Sequence, residues 1–131
     1  MKIEKTYYLP YPQEQVYKAW VCSDTVIEPA TAMDIKPVVG GHYRLIMEQP
    51  GFSSRNEGEF LEVRPEEFIR YTWEWNGDGE VTEIAVTFSA TESGTQISLI
   101  HSHFQKQQSA DQHDSGWDSY MAGFQKHLAN Q

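Results

Sequence analysis

Gly94-Thr95-Gln96-Ile97-Ser98-Leu99-Ile100-His101-Ser102-His103-Phe104 reads as a strand, and a short polar link then leads into one amphipathic helix. Trp117, Tyr120, Met121, Phe124 and Leu128 stand at offsets 0, 3, 4, 7 and 11, the spacing of a single apolar helix face. Ser109, with Gln112 three residues later, has the form of a capping box that opens this helix. Gly116 and Gly123 lie beside the apolar face, seven residues apart. A glycine inside a helix costs about 1 kcal/mol relative to alanine, so the pair has two readings. Either the helix packs closely on a sheet, or missing side chains leave room for a ligand beside Trp117.

The chain before this stretch is a series of short strands. Ile3–Leu9 alternates and is stopped by Pro10 and Pro12. Pro12 suits a first helical position, where its missing N–H costs nothing. A helix through about Val21 then buries Val16, Ala19 and Trp20. Ser23-Asp24 is able to cap a second short helical piece, which Pro29 disrupts. From Asp34 the period becomes two, with strands at 34–36, 42–48, 58–63, 68–75 and 82–90. Residues 49–54 read as a polar loop, and Asn76-Gly77-Asp78-Gly79 as a hairpin turn. Tyr43, Leu45 and Met47 share one face, as do Ile69, Tyr71, Trp73 and Trp75, and Ile84, Val86 and Phe88.

Sequential strands with tight turns form an antiparallel sheet, and clean alternation means one dry face and one wet. The long last helix must cover the dry face. The expected class is α+β: a curved antiparallel sheet of six to seven strands wrapped around a C-terminal helix, in a single domain over residues 1–131.

Composition excludes several functions. The chain of 131 residues carries a formal charge of −9, with 19 acids against 10 bases, and no Lys/Arg cluster supplies the footprint that nucleic acid requires. No apolar run approaches the ~18 residues of a membrane span, and an acidic surface disfavours anionic membranes. Cys22 is the only cysteine, so no internal disulfide forms. Met1–Lys5 lacks the apolar core of a signal peptide. The expectation is a soluble, cytoplasmic protein.

Five segments in order resemble one family. Pro12–Trp20 is similar to its proline-led opening helix, and Val39-Gly40-Gly41-His42-Tyr43-Arg44 to its double-glycine turn. Gly58–Pro65 followed by Tyr71-Thr72-Trp73-Glu74-Trp75 resembles its central hairpin. Gly94–His101 and His113-Asp114-Ser115-Gly116-Trp117 resemble its closing strand and helix start. Together they resemble the START-like (SRPBCC) superfamily, and most closely the branch named for the C-terminal domain of the activator of the 90-kDa heat-shock protein ATPase. The resemblance implies a helix-grip fold with a cavity between sheet and last helix. The chain departs from the pattern where the family often has a tryptophan, near Thr25–Ala30, and at Tyr17 and Trp20, which reshape the mouth of such a cavity.

The expected use of that cavity is to bind a small, largely apolar or aromatic molecule. Its expected lining is Tyr43, Tyr71, Trp73, His101, Gly116, Trp117 and Met121, since ligand sites are mostly apolar with few polar anchors. Any one of these aromatics also has a plain role in a core. Two alternatives stand beside binding. A protein-interaction role, with a chaperone as partner, follows from the branch's name. An enzyme of the cyclase or hydratase kind would use His101 and Tyr71 as proton carriers.

His101 and His103 form an H-x-H on one strand, and His113 or Asp111 would be the third ligand of a metal. No carboxylate or cysteine is spaced to complete such a site, and His101 reads better as a hydrogen-bonding residue facing the helix. Arg44 and Glu48 share a strand face and suggest a cross-strand ion-pair network. No nucleotide-binding loop or serine-nucleophile motif is present, and no cofactor is expected.

Overall fold

A computed structural model describes residues 1–131. Seven strands and two helices follow one another: β1 (Ile3–Leu9), α1 (Gln13–Trp20), β2 (Ala32–Ile35), β3 (His42–Gln49), β4 (Phe52–Arg64), β5 (Phe68–Glu74), β6 (Val81–Thr91), β7 (Gly94–Ser102) and α2 (Gln107–Ala129). The strands make one antiparallel sheet in the order β1-β7-β6-β5-β4-β3-β2. β2 to β7 form a meander, and β1 closes onto β7 with Ile3 opposite His101 and Leu9 opposite Thr95. A register shift between Phe60 and Glu62 interrupts the β4–β5 ladder, and such a bulge bends and twists a strand.

The alternation seen in the sequence sorts the two faces. Ile69, Tyr71 and Trp73 of β5, Ile84, Val86 and Phe88 of β6, and Ile97, Leu99 and His101 of β7 are buried. They pack with Met121, Phe124 and Leu128 of α2 in one core cluster, His101 excepted. The other face carries ion pairs across strands: Arg44 with Asp34 and Glu57, and Arg70 with Glu62 and Glu83. The cross-strand network at Arg44 therefore exists, with Asp34 and Glu57 as its acids in place of Glu48.

Besides the short helical piece expected after Ser23-Asp24, which does not form, three local expectations change. Residues 49–54 are not a loop: Gln49 pairs with Phe52 across a turn at Pro50-Gly51, and β4 runs from Phe52. The strand was hidden because its inward residues include polar Ser54 and Asn56. Asn56 is satisfied inside, donating to the Leu45 carbonyl at 3.2 Å and accepting from the Asn76 N–H at 3.1 Å. Pro12 stands at the N-cap of α1 and not at its first helical residue.

The third change is at α2, which begins at Gln107 with no side-chain cap of its own, so Ser109 and Gln112 do not open it. Glu80, from the β5–β6 connection, instead accepts the backbone N–H groups of Gln105 (2.6 Å) and Lys106 (3.0 Å). A carboxylate there also meets the positive end of the helix dipole. The last helix is thus seated by a residue 25 positions before Gln105 in the chain.

Candidate functional site

His101 is wholly buried near the end of β7. The Trp117 indole N–H donates to its Nδ1 at 3.0 Å, so Nδ1 carries the lone pair and Nε2 the proton. Nε2 then donates to the Thr82 hydroxyl at 2.7 Å, and that hydroxyl donates to the Trp73 carbonyl at 2.9 Å. Both ring nitrogens are engaged by the protein itself. Burial, with the neighbouring His113 adding to it, pushes the His101 pKa down to about 3.

The H-x-H pair does not share a side. The strand ends at Ser102, and His103 adopts φ +69°, which turns its ring toward Glu83 on the wet face. The imidazole beside His101 is that of His113, with centroids 5.0 Å apart. No three His, Cys, Asp or Glu side chains converge as metal ligands. Tyr71 is separated from His101 by Ile84, which pairs with both in one row across the sheet. Two strand spacings are about 10 Å, too far for the pair to act on one proton.

Between α2 and the sheet the space is filled with rings. Tyr43 stacks on Tyr71 with centroids 4.8 Å apart, and Trp73 meets Tyr43 edge-on at 5.9 Å. Trp20 of α1, wholly buried, enters the same space. It stacks on Trp117 at 6.0 Å and meets Tyr120, Phe124 and Phe88 edge-on at 5.4–5.9 Å. The sequence placed Trp20 in the buried stripe of α1; the structure shows that it reaches the centre of the expected site.

This apolar centre contains polar atoms. The hydroxyls of Tyr43, Tyr71 and Tyr120 act on one another electrostatically, and burial raises the pKa of all three, that of Tyr120 to about 12. The Trp20 Nε1–H lies beside the Tyr71 hydroxyl, yet neither Trp20 Nε1 nor the Tyr120 hydroxyl makes a well-formed hydrogen bond. An unpaired buried polar group costs about 1–3 kcal/mol, and nearly all such groups in folded proteins find partners.

The two glycines of α2 separate. Gly116 faces solvent, and a methyl group added there would meet nothing within 4 Å; it does not line the interior. Gly123 sits against Ile27, whose Cγ2 a methyl group would overlap. The close-packing reading holds for Gly123, with a twist: the residue filling its notch comes from the segment between α1 and β2, not from the sheet. Met121 is buried in the core and Trp117 half-buried beside it.

Two open concavities lie elsewhere. One, of about 450 Å³, runs between α1 and the C-terminus at Glu14, Lys18, Cys22 and Gln131. The other, of about 370 Å³, lies between Pro10–Gln13 and the β6–β7 turn. Neither includes any residue of the expected lining.

Residues 10–129 match the family described as Activator of Hsp90 ATPase homolog 1-like protein. The chain belongs to this family. Solved structures agree on the fold. Protein CV1439 from Chromobacterium violaceum superposes with a TM-score of 0.85 at 20% identity, covering 97% of this chain and 96% of that one. The AHSA1-like protein from Aeromonas hydrophila gives 0.82 at 17% identity, over 99% and 93%. DynU16, a protein of the dynemicin biosynthetic locus, gives 0.82 at 16% identity over 98% of this chain and 47% of its own length. At these identities the likeness is one of fold. No curated protein matches in sequence. No helix is long and apolar enough to cross a membrane.

Proposed function

We propose that this chain binds a small, largely apolar or aromatic molecule between α2 and the concave face of the sheet. The observation that supports this most is the concentration of aromatic rings at one interface. Tyr43, Tyr71, Trp73 and Met121 share one core cluster with Trp20, and Trp117 packs against it, and polar atoms in this interior lack well-formed partners. An interior built only for stability gains from rings but loses by unpaired N–H and O–H groups.

Binding fits better than proton transfer. A general acid or base needs a free lone pair or proton within reach of substrate, and His101 has given both nitrogens to Trp117 and Thr82. Its role is to position Trp117 against Trp20. DynU16, which shares the fold, belongs to a biosynthetic locus, a setting compatible with small-molecule handling.

Native mass spectrometry of the freshly purified protein tests the proposal. A bound species of a few hundred daltons, retained under gentle conditions and lost on unfolding, supports it. A protein that carries no such species and also fails to bind aromatic probes contradicts it.

A further inference from the structure

Residues 24–30 cross over α2 without joining the sheet. The backbone N–H groups of Thr25, Val26 and Ala30 bond to Cys22, Asp24 and Ile27, all within the segment or its first turn. The ends are fixed: Ser23 accepts the Ile35 N–H at 3.1 Å, and the Thr31 N–H donates to the Ile46 carbonyl at 2.7 Å. The Thr25 hydroxyl holds the Ala19 carbonyl at 2.6 Å, at the end of α1. Between these anchors, Ile27 seats in the notch of Gly123. Gly123 lies one helical turn from Tyr120 and next to Phe124, the two residues that Trp20 packs on.

We infer that residues 26–30, between these anchors, are a flap latched by Ile27 in the Gly123 notch, and that the guest it admits is a flat aromatic molecule carrying an oxygen substituent. The inference rests on the binding function proposed above and adds its mode of access and the chemistry of its ligand. Flatness follows from how this interior already packs: Trp20 on Trp117, and Tyr120 on Phe124, stack face to face with interplanar angles of 15° and 18°, and a flat ring entering among them stacks in the same way. The oxygen follows from the poorly partnered polar atoms. Trp20 Nε1–H can only donate, and the Tyr71 hydroxyl beside it forms no well-shaped bond with it. The Tyr120 hydroxyl, which donates or accepts as its neighbour requires, is met as poorly by that of Tyr43. A phenolic or carbonyl oxygen meets both, and a hydrocarbon meets neither.

Equilibrium dialysis of 2-naphthol and 2-methylnaphthalene, a pair matched in shape, tests this with the wild type, Ile27→Ala and Tyr120→Phe, each confirmed folded by thermal unfolding. The wild type is expected to bind 2-naphthol about tenfold more tightly than 2-methylnaphthalene. Tyr120→Phe is expected to shrink that preference, and Ile27→Ala to tighten binding of both probes. Equal affinities of the wild type for the two probes would overturn the oxygen recognition while leaving the binding function intact. An Ile27→Ala variant with unchanged affinities would overturn the flap. Failure of both probes to bind the wild type and Ile27→Ala would overturn the inference and the proposed function together.

Discussion

The indole N–H of Trp117 meets Nδ1 of His101 at 3.0 Å, and this bond fastens the last helix to the strand that precedes it. It exists only while the imidazole is neutral, because a protonated ring has no acceptor. His101 is held down to about 3 by burial and by His113, against 6.5 for a free histidine.

The unfolded chain therefore takes up a proton at His101 more readily than the folded one. This residue's stabilisation is complete above about pH 6.5 and is lost as the pH falls toward 3, at about 1.4 kcal/mol per pH unit. Urea unfolding midpoints at pH 7, 6, 5 and 4 check it. His101→Gln is expected to be less stable than the wild type at pH 7, with the gap narrowing steadily toward pH 4. A gap constant across the series would show that His101 does not titrate in this way.

The two α2 glycines should respond oppositely to the same change. Gly116→Ala adds a methyl group into open solvent within a helix and is expected to stabilise by about 0.5–1 kcal/mol. Gly123→Ala gains the same propensity but collides with Ile27. Overpacking costs about 1–3 kcal/mol, so it is expected to be neutral to destabilising. Pairing Gly123→Ala with Ile27→Ala should recover the loss, giving a coupling of about 1 kcal/mol or more in a double-mutant cycle. Additive effects would mean that Ile27 does not fill the notch.

Glu80 supplies the acceptor at the head of α2 that the helix's own residues do not. Glu80→Ala is expected to cost about 1–2 kcal/mol, the range for losing a helix cap. Ser109 and the backbone N–H groups of Gln105 and Lys106 hold its carboxyl below the ordinary value of 4.5. Its contribution is therefore present above that value and fades as the pH falls through the folded-state pKa. Amide hydrogen exchange should show faster exchange confined first to the opening turns of α2. Unchanged protection there would remove Glu80 from this role.

Much of the fold was legible in the sequence because its inward residues are apolar at a period of two or of 3.6. β5 and the face of α2 follow that rule residue by residue, and β1 and β6 follow it except at Lys5 and Thr82. The first half of β4 escaped because Ser54 and Asn56 point inward, and polar inward residues erase the alternation. The start of α2 escaped because its acceptor, Glu80, is distant in sequence, and local capping patterns do not register such a partner.

The candidate site was legible in composition more than in geometry. Tyr43, Tyr71, Trp73, His101, Trp117 and Met121 are brought to the interface, whereas Gly116 faces water. Trp20 and Ile27 fill the interior and its edge because α1 and the segment that follows it, which belong neither to the sheet nor to α2, fold over it. Spacing along one helix cannot show what another segment places in its notch. The one advance signal was Trp20 itself, a large ring on the buried stripe of a short helix.

The most direct test of a binding site beneath α2 is an NMR titration that follows the indole N–H signals of the four tryptophans as 2-naphthol is added. A guest seated there should shift the Trp20 signal saturably and the Trp117 signal beside it, while Trp75, 37% exposed beyond the end of β5, stays in place. Movement of Trp75 alone, or of no indole signal at saturating probe, would contradict the account.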